Sequence, residues 1–116
     1  MQINEMEKSK SHILNEVIDY VPHSIVSKTI IRKNTGNISI VAIDRGEALA
    51  EKISPFDTFI QIIEGVAEIV IDEIPNILQT GEVIIIPAHT SNMVKANERI
   101  KMISTIIKSG YEGISI

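Results

Sequence analysis

From Ser24 onward the chain is cut every few residues by a turn signal, and this punctuation limits its fold more than any other feature. Asn34-Thr-Gly-Asn37, Arg45-Gly46, Ser54-Pro55, Glu64-Gly65, Ile74-Pro75-Asn76, Thr80-Gly81 and Pro87 separate short apolar runs. Runs of that length suit strands, and turns this regular imply a sandwich or barrel. The apolar residues agree, with 26 Ile and 8 Val against 3 Leu. Such β-branched side chains are stiff at the first torsion and fit a pleated surface better than a helix. The expected fold class is all-β, with strands over about 25–32, 37–44, 47–54, 58–64, 66–72, 76–79, 82–86, 92–96 and 99–108. Val83-Ile-Ile-Ile86 is apolar on both faces, as a strand covered on both sides would be.

Residues 6–20 differ. Ile13, Leu14, Val17, Ile18 and Val21 recur at helical spacing, Ser9 or Ser11 is placed to cap the start, and Pro22 ends the pattern. A short N-terminal helix or extended arm is expected over residues 1–22, lying on a barrel of residues 23–116 or on a partner subunit. At 116 residues the whole makes one domain with a core of its own.

Composition removes several function classes. A net charge of -4 disfavours nucleic acid, which requires a basic face, and two Phe with two Tyr provide no base-stacking platform. There is no cysteine for disulfide or thiolate chemistry. No apolar run reaches membrane-spanning length, and the polar first ten residues do not form a secretory signal, so a cytoplasmic protein is expected. Phosphate loops, nucleophile elbows and zinc-protease pairs are absent. Asp72-Glu73 reads as a solvated loop, and His12 and His23 receive no chemistry.

Two segments carry a specific spacing. After Gly46, five residues lead to Lys52, one separates it from Ser54, three lead to Thr58 and six to Gly65. Gly81 is followed by five residues and Pro87, and Asn92 lies five positions further on. Gly65 and Gly81 stand where strands reverse tightly, and Pro87 stiffens the turn before residue 92. This arrangement resembles the two-part motif of the cupin superfamily, in its small single-domain, RmlC-like form. Phe59-Ile-Gln-Ile-Ile-Glu-Gly65 is similar to the first motif's strand and turn, and Gly81-Glu-Val-Ile-Ile-Ile-Pro-Ala88 to the second. The resemblance covers about residues 24–108 and implies a jelly-roll barrel, which in such relatives often dimerises; a homodimer is expected here.

In the family, the positions of Lys52, Ser54, Thr58 and Asn92 usually hold His, His, Glu or His, and His around one metal ion. All four are replaced here. Lys is a cation at neutral pH and repels a metal, while Ser, Thr and Asn are weak neutral donors. No metal and no cofactor are therefore expected. Alternation points Lys52 and Ser54 the same way, into the barrel, with Thr58 and Asn92 facing them. Gln61 and Asp57 fall out of phase with Thr58. Lys52 either reaches to the mouth, or pairs with Asp57 or Glu51, or greets an anionic ligand. His89 lies in the loop after Pro87, as a rim histidine or as a gripping group.

Three functions follow. The leading one is a metal-free module that binds a small, anionic metabolite in the cavity through Lys52, Ser54, Thr58, Asn92 and His89. The second is a cupin enzyme of isomerase, decarboxylase or dioxygenase type, using Lys52 or an unconventional metal set. The third is a structural or regulatory dimer whose pocket is filled.

Overall fold

Nine strands account for almost all regular structure in the computed structural model, which describes residues 5–108. They are β1 (Ile25–Lys33), β2 (Gly36–Ile43), β3 (Ala48–Ile53), β4 (Asp57–Glu64), β5 (Val66–Ile71), β6 (Ile74–Gln79), β7 (Val83–Ile86), β8 (Ser91–Lys95) and β9 (Ile100–Ile107). All pair antiparallel in two sheets, ordered β1-β2-β9-β4-β7 and β3-β8-β5-β6. The turn residues stand where the strands stop, and each β-branched run between them forms a strand.

Alternation fills the space between the sheets. Val41 and Ile43 on β2, Ile60 and Ile62 on β4, and Ile100 and Met102 on β9 meet Ala67 and Ile69 on β5 and Val94 on β8. Ile43, Ile62, Ile69 and Ile100 are fully buried. Each such side chain contributes roughly 1.5–3 kcal/mol through burial.

The N-terminal segment is an arm containing one 3-10 turn, Leu14–Glu16, and no α-helix among its described residues. The helical spacing over 6–20 therefore does not produce a helix. A helix of that length is marginal in water, and four of its five apolar positions (Ile13, Val17, Ile18 and Val21) are β-branched. The arm instead docks on the outer face of the larger sheet, where Ile18 packs with Ile40, Ala42 and Ile103 in a second apolar cluster. Further back, the Met6 N–H donates to the Ile30 carbonyl at 3.2 Å, and the Arg32 N–H donates to the Glu5 carboxylate at 2.5 Å. Both contacts lie at the bulge of edge strand β1, between Thr29 and Ile31, and they cover part of an edge that would otherwise offer free backbone groups.

The arm leaves the far side of that face open. Val83 and Ile85 on β7 are 50% and 62% exposed, so β7 is covered on its inner face only. Among the described residues no helix is long and apolar enough to cross a membrane.

Candidate functional site

A cavity of about 230 Å³ lies between the sheets, and strand register orders the residues of its wall into levels. On β2 the inward residues run Asn37, Ser39, Val41, and on β9 they run Ile106, Ser104, Met102. Ser39 stands opposite Ser104, and Val41 opposite Met102. Across the cavity, Lys52 stands opposite Asn92 and Leu49 opposite Val94. On β4, Ile60 stands opposite Ser104 and Thr58 opposite Ile106. The result is a ring of hydroxyls and amides, with Lys52, interrupted by Ile60, Ile86 and Ile106, above an apolar floor that merges with the core.

Lys52 faces the cavity because of a bulge. Leu49 pairs with Val94 and Lys52 with Asn92, so β3 carries one more residue between those pairs than β8 does. The extra residue shifts the phase of alternation. Lys52 enters the lining, while the Glu51 carboxylate turns away and accepts a hydrogen bond from the Ser91 hydroxyl at 2.7 Å. Asp57 accepts the Ala88 N–H at 2.8 Å. Among the described residues no ion pair joins Lys52 to a carboxylate. Lys52 remains exposed, so its ammonium is not sealed in.

Asn92 is the buried polar group of the ring, at 4% exposure. Its amide nitrogen donates to the Lys52 carbonyl at 3.3 Å and to the Thr90 carbonyl at 3.4 Å. Two carbonyls around the NH₂ fix which end of the amide is which, since the reverse placement would set oxygen against oxygen. Oδ1 is thereby left buried without a hydrogen-bond partner.

Of the five residues singled out in the sequence, the fold brings Lys52, Thr58 and Asn92 together around the cavity. Ser54 and His89 are not part of its wall. β3 ends at Ile53, so alternation no longer governs Ser54; its hydroxyl accepts the Phe56 N–H at 3.2 Å and closes the turn through Pro55. His89 is exposed with φ 62°, and its N–H donates to the Ser54 carbonyl at 2.7 Å, tying two loops together. Ser27, Asn37, Ser39 and Ser104 were not anticipated. Their signal was present, as polar residues in the inward phase of otherwise apolar strands (Asn37-x-Ser39-x-Val41 and Met102-x-Ser104-x-Ile106).

The ring does not suit the metal that the cupin resemblance brings to mind. It offers one cation, two amides and hydroxyls, whereas a metal requires three or four converging anionic or imidazole donors. Among the described residues no group of three His, Cys, Asp or Glu side chains could hold a metal ion.

The strongest electrostatic arrangement lies elsewhere, where the arm meets the barrel. The Tyr20 hydroxyl and the Asn15 amide both donate to the Glu64 carboxylate, and the buried Lys101 ammonium donates to the Asn15 carbonyl at 2.6 Å. Arg99 and Lys101 each lie 5.0 Å from the Tyr20 ring centre. Burial first, then the Glu64 carboxylate, pushes the Tyr20 phenol above its ordinary range. The Tyr20 hydroxyl and then the Asn15 amide hold Glu64 below the usual carboxylate value. Asp44 is held down at about 2, by the His23 N–H, then the Arg99 guanidinium, then the Arg45 N–H. These groups fasten the arm and do not reach the cavity.

No protein-family model matches this sequence, and no curated protein matches it. Solved structures do. A conserved protein of unknown function from Streptococcus pyogenes superimposes with a TM-score of 0.87 at 25% identity, over 95% of this chain and 96% of that one. A cupin superfamily protein from Desulfitobacterium hafniense gives 0.84 at 21% identity, over 92% and 98%. A cupin 2 conserved barrel domain protein from Leptotrichia buccalis gives 0.79 at 29% identity over 82% of this chain, which spans 46% of that longer one.

Proposed function

We propose that this chain, a jelly-roll barrel whose structural neighbours are cupin superfamily proteins, is a cytoplasmic, metal-free binding module for a small anionic metabolite. One observation carries the reading. Among the described residues Lys52 is the single charged one in the cavity wall, and neither a carboxylate nor an imidazole joins it there. An anion entering this ring meets a cation and several hydroxyl donors, and no like charge opposes it. A volume of about 230 Å³ also counts against a pocket filled by its own side chains, because roughly 150 Å³ accommodates benzene. The ligand class is therefore a molecule somewhat larger than six heavy atoms.

A homodimer belongs to the same reading. Phe59 on β4 stands opposite Ile85 on the edge strand β7, and both are exposed, together with Val83. A second copy seated on this open side of the larger sheet would cover the apolar row and the β7 edge at once.

The test is metal content of protein purified without chelator, with unfolding midpoints before and after chelator treatment, followed by titration with carboxylates and sugar phosphates. The expected result is no stoichiometric metal, an unchanged midpoint, and anion binding that Lys52→Met weakens by roughly ten- to a hundredfold, the range of a charge-assisted hydrogen bond. Stoichiometric metal whose removal lowers the midpoint would overturn the proposal in favour of a metalloenzyme.

A further inference from the structure

The cavity is amphipathic along its length. On four strands the inward residues change from polar to apolar: Asn37 and Ser39 give way to Val41 on β2, Lys52 to Leu49 on β3, Thr58 to Ile60 on β4, and Asn92 to Val94 on β8. Register brings the polar ends together. Asn37 and Thr58 both stand opposite Ile106, and Lys52 stands opposite Asn92. The turn of residues 54–56 then carries the chain directly from the end of β3 to the start of β4, so the two sheets share one polar end. Ile86 and Ile106 at that end, and Ser27 at the other, depart from the gradient. The apolar end is not sealed: Leu49 is half-buried, and Ile25, in register with Ile43 beyond Val41, is 36% exposed.

Each end of such a wall rejects what it cannot satisfy. A single anionic group at Lys52 is matched, whereas an ammonium beside it meets a like charge and, among the described residues, no carboxylate in the wall. A sugar would carry hydroxyls down to the level of Val41, Leu49 and Val94, where Ser27 is the one polar side chain. A hydroxyl desolvated there without a partner weakens binding. A hydrocarbon chain gains from the same burial. If roughly 150 Å³ holds the six heavy atoms of benzene, about 230 Å³ holds roughly nine, a carboxyl group with about six carbons behind it.

We infer that the cavity takes an aliphatic monocarboxylate of about six to eight carbons, in preference to an amino acid or a sugar phosphate. Its carboxylate lies at Lys52 and its chain points towards Leu49 and Ile25. This class rests on the proposed reading of the cavity as an anion site.

Calorimetric titration of the full chain with acetate, butanoate, hexanoate, octanoate and decanoate measures the tail. Norleucine and glucose 6-phosphate represent the two rejected classes. Affinity should rise about fourfold per methylene, making hexanoate about two-hundredfold tighter than acetate. The rise should level off past octanoate, where the chain outgrows the cavity. Norleucine, which adds an ammonium to the frame of hexanoate, should bind about tenfold more weakly or worse, and glucose 6-phosphate should also fall below hexanoate. Lys52→Met should weaken every acid by one factor and leave the rise per methylene intact. Equal affinity from acetate to octanoate overturns this inference while the anion reading stands, and so does norleucine or glucose 6-phosphate binding as tightly as hexanoate. A rise that continues undiminished through decanoate overturns it too, since that marks an open apolar surface such as the row of Phe59, Val83 and Ile85. Acids that bind Lys52→Met as tightly as the unaltered protein, or no anion bound at millimolar concentration, remove the anion reading and this inference together.

Discussion

Gly65 and Gly81 have the same backbone conformation, φ +90° at each, and they allow a sharp comparison. A side chain at that φ is strained in either place. The surroundings differ. A Cβ on Gly65 would lie 2.2 Å from the Arg99 carbonyl oxygen and 3.1 Å from Cγ2 of Ile100, whereas a Cβ on Gly81 would meet nothing within 4 Å. Alanine at position 81 should cost the conformational strain alone, about 1–2 kcal/mol. At position 65 it adds an overlap with backbone that no change of rotamer relieves, just before the fully buried Ile100, and overpacking of that kind adds about 1–3 kcal/mol. The total for Gly65→Ala is about 2–5 kcal/mol. With an unfolding entropy of about 2.1 cal/mol/K per residue, a domain of this size loses about 4 °C per kcal/mol. Thermal unfolding followed by circular dichroism should show Gly81→Ala lower by about 4–8 °C and Gly65→Ala by about 8–20 °C. Equal falls would refute the close approach of the Glu64-Gly65 turn to β9.

Ile62→Ala, at the fully buried centre, should cost about 2–5 kcal/mol in urea unfolding, whereas Ile53→Ala, at a site 66% exposed, should stay within about 0.5 kcal/mol. Asp44 has a folded value of about 2 against an ordinary 3.8, so its stabilisation is complete above about pH 4 and is lost as pH falls towards 2. Asp44→Asn should flatten that part of an acid-unfolding curve. The raised Tyr20 phenol acts in the opposite direction: its stabilisation is present below its ordinary value of 10.0 and lost as pH climbs beyond it. Tyr20→Phe should reduce the alkaline loss at a cost of about 1–2 kcal/mol near neutrality. Light scattering after size exclusion should give twice the chain mass, falling to one chain in Ile85→Lys; a monomeric unaltered protein would remove the dimer.

The strands were legible because two local signals coincide, β-branched runs and the Gly or Pro that ends them. Ile38 to Ile43 and Ile100 to Ile107 need only their own residues to be read as strands. The cavity was legible as far as strict alternation holds, which covers Thr58 and Asn92. It fails at Ser54, where β3 has already ended and the hydroxyl serves the turn instead. The arm was half legible. Its apolar spacing does find the residue that docks, Ile18, but the shape was decided by partners far along the chain. Tyr20 and Asn15 meet Glu64, and Lys101 reaches back to Asn15. No local pattern announces pairs so distant in sequence. The ring serines were missed for another reason, since a lone Ser in an inward phase looks like any polar interruption until its neighbour across the sheet is known. Ser39 and Ser104 acquire meaning only as a pair.

The bulge in β3 has a consequence for the charge that such a barrel presents inside. Glu51 and Lys52 are adjacent, one outside the cavity and one in its wall, and a single unpaired residue decides which is which. With Leu49 fixed opposite Val94, smoothing the bulge would place Glu51 inward and Lys52 outward. The ring would then carry a negative charge where it now carries a positive one, with the composition unchanged. The charge of the cavity wall is thus stored in the register of one edge strand as much as in the identity of its residues. A lineage could reverse that charge by gaining or losing one backbone irregularity, a step that comparison of side chains at matched positions would not detect.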